Sequence, residues 1–135
     1  SVPIYLDNED SLYIEKINYT LSFNSDIVSN PQGTLDGTVI SELNGNITTQ
    51  NQSINVIINP DREIEGVITN INFDLIGSKG DIMDLDFSNV TIKGGNHDDH
   101  YDSGNDLYSF EVNDIDVPTK NGDIVILQES YQIAL

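Results

Sequence analysis

Hydrophobic and polar residues alternate with a period of two along most of this chain, the pattern of strands that bury one face. The clearest run is 13–23, where Ile17, Tyr19, Leu21 and Phe23 fall on one side and Lys16, Asn18, Thr20 and Ser22 on the other. In 53–59, Ile54, Val56 and Ile58 share a face and leave Asn55 and Ile57 opposite. In 67–76, Val67, Thr69, Ile71, Phe73 and Leu75 oppose Asn70, Asn72 and Asp74. Further strands are expected over Val2–Leu6, Thr38–Leu43, Met83–Phe87, Val90–Ile92, Leu107–Val112 and Ile124–Leu127, with 128–135 a final strand or the start of a linker. Turn chemistry separates them at Asn30-Pro31-Gln32-Gly33, Asn44-Gly45, Asn59-Pro60-Asp61, Gly77 to Gly80, Gly94 to Asn96 and Asn121-Gly122. No window of a dozen residues carries a 3.6-residue period. Eight or nine short strands, each with one apolar face, cannot bury themselves singly, and two packed antiparallel sheets are the economical solution. The expected fold is all-β: a two-sheet antiparallel β-sandwich, jelly-roll-like.

Composition agrees. A single Ala, Ala134, stands against 19 Ile and 9 Val, and β-branched residues suit a pleated surface better than a helix. At 135 residues the chain is expected to form one domain, 1–135, with a core that needs no staples. Cysteine is absent, which excludes disulfides, thiolate metal sites and a cysteine nucleophile. Charge narrows the partners further. Five Lys+Arg against 23 Asp+Glu give a formal net charge of −18. Nucleic-acid binders need cations to displace counterions, so that class is excluded, and an anionic membrane surface is a poor partner. No stretch approaches the roughly 20 apolar residues of a membrane-spanning helix, so no membrane insertion is expected. The chain starts on a strand-like segment at Val2, which reads as a module of a larger secreted protein, extracellular or at the cell surface. The acids are unevenly spread: 11 acids and two lysines lie between Asp74 and Asp116, whereas Lys16–Ser22 holds no acid.

The densest group of potential ligands is the segment from Gly94 to Asp106. Asp98, Asp99, Asp102 and Asp106 offer hard oxygens to calcium, while His97 and His100 suit a transition metal. The spacing fails the EF-hand pattern, and a solvated acidic loop is the plain alternative. Enzyme chemistry has little to stand on: there is no Gly-x-Ser-x-Gly elbow and no His-Glu-x-x-His helix. Absence of Trp weakens both a glycosidase and a carbohydrate-binding module, although Tyr5, Tyr13, Tyr101, Tyr108 and Tyr131 could form a stacking strip. No small-molecule substrate is expected.

Three segments together resemble a cohesin module, the receptor half of the cohesin–dockerin pair of cellulosome scaffolds. Val2-Pro3-Ile4-Tyr5-Leu6-Asp7-Asn8 is similar to the family's "VPI-x-L-x-N" opening, and Ile14 to Val28 follows as the next family strand. Ile64 to Gly80 is similar to "I-x-G-x-I-x-x-I-x-F-x-V-x-x-x-x-G", and Asn121-Gly122-Asp123-Ile124-Val125-Ile126 to the closing "x-G-x-I-x-V". The family usually has a further strand before the one at Val2; either the piece begins late or Tyr131–Leu135 takes its place. The resemblance implies a non-catalytic receptor that docks a dockerin-containing protein on a flat sheet and needs no cofactor of its own, with calcium carried by the dockerin. It puts Lys16, Asn18, Asn55 and Ile57 at outward contact positions, with Thr20 at the rim. Ile57 is an apolar residue on the polar side of its strand. It suits an interface core within a polar rim, or else is one of the scattered apolar residues common on any surface. A structural or adhesive β-sandwich and a carbohydrate-binding module remain the alternative functions.

Overall fold

The computed structural model describes residues 1–95 and 119–122 with their side chains, and the backbone alone of strand residues 100–102, 107–109, 113–115 and 123–125. In chain order the strands are β1 (Val2–Leu6), β2 (Tyr13–Ser22), β3 (Val28–Thr34), β4 (Asn46–Thr49), β5 (Ser53–Ile58), β6 (Arg62–Glu63), β7 (Gly66–Leu75), β8 (Ile82–Gly95), β9 (His100–Asp102), β10 (Leu107–Ser109), β11 (Asn113–Ile115) and β12 (Gly122–Val125). There is no helix among the described residues. Three strands in the order β1-β7-β3 form one sheet; the other runs β11-β8-β2-β5-β4, with β12 also on β8 and β6 on β2. Among the described residues all strand pairs are antiparallel, and β9 and β10 pair with each other in a separate two-stranded sheet. This is the expected antiparallel sandwich.

The alternating side chains meet between the sheets. Ile17, Leu21, Ile54, Val56 and Ile58 of the large sheet and Val28 and Ile71 of the small one are no more than 1% exposed. Each such side chain contributes about 1.5–3 kcal/mol of burial free energy. Two edge-on aromatic pairs add to the core: Tyr19 with Phe87, neighbours within the large sheet with ring centres 5.6 Å apart, and Phe23 with Phe73 of the small sheet at 5.0 Å. Asn8, a buried polar residue, ties the loop after β1 to the segment before β7. Its Nδ2 donates to the Leu12 and Ile64 carbonyls, both at 2.9 Å, and its Oδ1 accepts from the Leu12 amide at 3.0 Å.

Several expected boundaries move, each for a local reason. Met83–Phe87 and Val90–Ile92 are one strand, β8. Thr20 pairs with Ser88 and Asn18 with Thr91, so Asn89 and Val90 together face Tyr19. Asn89 adopts φ 51°, and this bulge restores the phase, so that Phe87 and Val90 both turn inward although they stand an odd three positions apart. A second bulge at Glu15, between the Ile14–Gly94 and Lys16–Lys93 pairs, lets Ile14 and Ile17 share the buried face. The expected break at Gly94 lies inside the end of β8. Asn30-Pro31-Gln32-Gly33 is not a turn between strands but an irregularity within β3, where pairing with β7 jumps from Ser29–Asp74 to Gln32–Asn72. Proline is tolerated there because β3 is an edge strand.

Thr38–Leu43 is not a strand. The Thr38 hydroxyl and amide both donate to the Leu35 carbonyl, and the Leu43 amide donates to the Ile40 carbonyl, making successive turns. Its apparent alternation arises because Ile40 plugs the core while Val39 is 47% exposed. Leu75, expected inside, is 56% exposed at the end of β7. The strand count exceeds eight or nine because short strands such as β4 and β6 hold too few residues to show a period. Of the expected strand Leu107–Val112 only Leu107–Ser109 is described, and of Ile124–Leu127 only Ile124 and Val125; residues 126–135, with Tyr131–Leu135, lie outside the described residues.

Candidate functional site

The large sheet buries one face against the small sheet and turns the other outward. Four adjacent strands, β8, β2, β5 and β4, carry that outer face, and their pairing aligns its side chains in rows. Thr91, Asn18, Ile57 and Asn46 form one row. Ser88, Thr20, Asn55 and Thr48 form the next, and Asp86, Ser22 and Ser53 a third. At the other end Lys16 stands directly opposite Lys93. With a rise of about 3.3 Å per residue, Lys16 and Ser22 are about 20 Å apart along β2.

All five expected contact residues, Lys16, Asn18, Thr20, Asn55 and Ile57, therefore share one continuous surface. Thr20 is not at its rim: it stands between Ser88 and Asn55 in the middle of the sheet. The rim on that side is β4, the edge strand. Ile57 is partly buried, with Asn18 on one side and Asn46 on the other. An apolar side chain ringed by amides is a small dry centre in a polar field, the arrangement of an interface core.

Asn55 organises that field. Its Nδ2 donates to Asn18 Oδ1 at 3.0 Å, to Thr20 Oγ1 at 3.0 Å and to the Tyr19 carbonyl at 3.1 Å. The Tyr19 carbonyl only accepts, which settles the Asn55 amide orientation and in turn that of Asn18. Asn55 Oδ1 and Asn18 Nδ2 take no part in these bonds, which leaves an acceptor and a donor on two side chains already held in place before any partner arrives. Fixing them in advance lowers the ordering cost of binding.

Behind this surface, Tyr19 and Thr69 bury their hydroxyls without a hydrogen-bond partner of normal geometry. Burial pushes the Tyr19 phenol well above its ordinary pKa, and the Thr69 hydroxyl works weakly the other way. At the lysine end, Tyr13 donates to Asp61 Oδ1 at 3.2 Å; burial first, then the Asp61 carboxylate, raise its pKa. The sole ion pair among the described residues, Arg62 with Glu42, lies off the outer face. There Glu42, bonded to its own backbone amide and to Arg62, has its pKa lowered.

The expected acidic ligand cluster is not brought to this surface by any described contact. Asp98, Asp99, Asp106 and His97 lie outside the described residues, and of Asp102 and His100 only the backbone, in β9, is described. Among the described residues no three His, Asp or Glu side chains stand close enough to hold a metal ion. The tyrosine strip does not form as a unit: Tyr5 is on β1 of the small sheet and Tyr13 on β2 of the large one. The side chains of Tyr101, Tyr108 and Tyr131 lie outside the described residues. Sequence reading missed Lys93, Asn46, Ser88 and Thr91 because their place on this face depends on strands far away in the chain. The polar alternation of β8 was visible, but the bulge hid its phase.

The outer face is open, partly apolar and amide-lined; a cavity of about 600 Å³ lies behind it, lined by Ile4, Tyr19, Leu85 and Phe87, and a smaller one of about 370 Å³ adjoins its Ser22, Asp84 and Asp86 end. Comparison with solved structures identifies its scaffold. The seventh ScaB type I cohesin from Pseudobacteroides cellulosolvens superimposes with a TM-score of 0.70 over 96% of this chain and 82% of that one, at 17% identity. This chain has the cohesin fold. The sixth cohesin of Acetivibrio cellulolyticus scaffoldin B, solved in complex with a mutant Cel5 dockerin, matches with a TM-score of 0.64 at 15% identity, covering 94% of this chain and 86% of that one. No protein-family model matches the sequence, and no curated protein matches it. The cohesin fold is thus reached through a sequence far from those of its structural neighbours, and the outer face is where this chain's own chemistry is displayed.

Proposed function

We propose that this chain is a non-catalytic receptor module that docks a calcium-loaded dockerin on the outer face of β8-β2-β5-β4. In doing so it tethers the dockerin's parent protein to an extracellular scaffold or cell surface. The observation that carries this reading is the cohesin fold over nearly the whole chain, together with the fact that one of its structural neighbours was solved with a dockerin bound. The prearranged amides of Asn18 and Asn55 around Ile57 supply a contact centre of the right kind. Calcium enters through the partner, and no cofactor in this chain takes part. The acidic field of −18 steers a basic partner toward the module from a distance, and that contribution fades with salt.

The test is calorimetric titration of the purified chain with a panel of dockerins, including those encoded beside it, in calcium and in chelator. One-to-one binding in calcium that disappears with chelator is expected. Absence of binding to every dockerin removes the proposal.

A further inference from the structure

Lys16 and Lys93 make an unusual pair. The chain has five cations among 23 acids, yet two of them are placed directly opposite each other on neighbouring strands. Like charges in that position repel and weaken a sheet. Neither lysine forms an ion pair among the described residues, where the one such pair is Arg62 with Glu42. Glu15 adjoins Lys16 at the bulge, and Asp114 is opposite Lys93 in the backbone pairing with β11. Glu15 thus offers Lys16 screening without forming an ion pair with it. At the far end of the same face the signs reverse: Asp84 and Asp86 are exposed on β8, and no cation faces them from β2, where Ser22 is the neighbour.

We propose that Lys16 and Lys93 form a two-lysine clamp for a carboxylate of the docked partner, an inference that rests on the docking role of this face. Paired backbones about 5 Å apart let two long, flexible ammonium side chains converge on one carboxylate set between them. The partner's anion relieves the repulsion that the free protein carries. The clamp sits two residues along β2 from the Ile57 row, so a partner seated on Ile57 reaches both. Because Asp86 lies about 20 Å away at the opposite end, with Asp84 two residues farther along β8, both are beyond the screening length at physiological salt and the two ends act separately. The docked segment is therefore oriented, with its acidic end over the lysines and its basic end over the aspartates. A dockerin helix of about 13 residues spans that distance at 1.5 Å per residue. Its dipole favours the same arrangement, N-terminus toward the aspartates and C-terminus toward the lysines.

The experiment uses a dockerin that binds in the calorimetric panel, in calcium and at two salt concentrations. Lys16→Gln and Lys93→Gln are each expected to weaken binding about tenfold. Lys79→Gln and Lys120→Gln, which change the net charge equally but lie off the clamp, are expected to leave Kd within about twofold. Replacing dockerin carboxylates one at a time by amides identifies the partner anion: its loss and the loss of Lys16 should be non-additive in a double-mutant cycle. If Ile57→Asp abolishes binding while the clamp variants match the Lys79 and Lys120 controls, the clamp is overturned and the docking face stands. Equal losses at all four lysines also overturn it, leaving only long-range steering. If Ile57→Asp and the clamp variants all bind like the parent chain, or if no dockerin binds, the docking reading falls and the clamp with it.

Discussion

Ile54 and Ile57 are the same residue type, three positions apart on β5, and they answer to different physics. Ile54 points between the sheets and is fully buried. Ile57 points the other way, partly buried between two asparagines. The contrast extends across both faces of the β2–β5 pair: Ile17 opposite Ile58, Tyr19 opposite Val56 and Leu21 opposite Ile54 inside, Asn18 opposite Ile57 and Thr20 opposite Asn55 outside. On the inner face, volume and burial decide the free energy, so the same side chain counts through packing alone. On the outer face, hydrogen-bond geometry and charge decide, and their value is realised when something binds. Stability and affinity should therefore separate cleanly between the two faces of a single strand.

The largest effect expected is on the inner face. Ile54→Ala should cost about 3 kcal/mol of stability by leaving a cavity, seen as a lower urea midpoint with unchanged slope. At temperatures where the variant is still folded, dockerin affinity should stay near that of the parent; a large affinity loss there would join the two faces into one. Next comes the opposite experiment. Ile57→Asp should weaken dockerin binding about 100-fold, as removal of an interface centre does, while costing only about 1 kcal/mol of stability in denaturation. A stability loss as large as that of Ile54→Ala would show that Ile57 belongs to the core.

Tyr19→Phe sharpens the inner face further. Removing a buried hydroxyl that lacks a partner should raise stability at pH 7 by about 1 kcal/mol in urea titrations. It should also change the alkaline limb. The folded phenol is held above its ordinary pKa by burial, so above about pH 10 the unfolded chain releases its proton first. The parent chain's stability is thus unaffected by this titration below about pH 10 and falls as the pH rises beyond it. The Phe variant should lose less stability than the parent between pH 9 and 11; identical slopes would remove Tyr19 as the cause. The smallest effect is reserved for the outer rim. Thr48→Asp on the edge strand β4 should change stability by less than about 0.5 kcal/mol and affinity by less than about threefold, measured by urea titration and calorimetry.

Much of the inner face was legible because alternation is local. Ile17, Tyr19, Leu21, Ile54, Val56 and Ile58 are assigned by spacing alone, and all are buried. The outer positions Asn18, Asn55 and Ile57 follow by parity. Legibility failed where a single extra residue shifts the phase, at Glu15 and Asn89, and where side-chain hydrogen bonds outcompeted strand pairing, at Thr38. It failed also at β4, whose four residues include one inward apolar side chain, Ile47. The cohesin resemblance supplied the choice of face, which parity cannot make: every sandwich has two outer faces.

The amino-acid sequence by itself determined the β content, the sandwich class and the buried side of the regular runs in β2 and β5, because those depend on a two-residue period and on the large share of β-branched residues. Only the tertiary structure decided that Lys93 faces Lys16, that Asp86 stands beside Ser22 at the other end, and that Asn55 bonds across to Asn18. These are pairings between residues far apart in the chain. Their register is set by the joint burial of several strands and by two bulges, and no short window of residues holds that information.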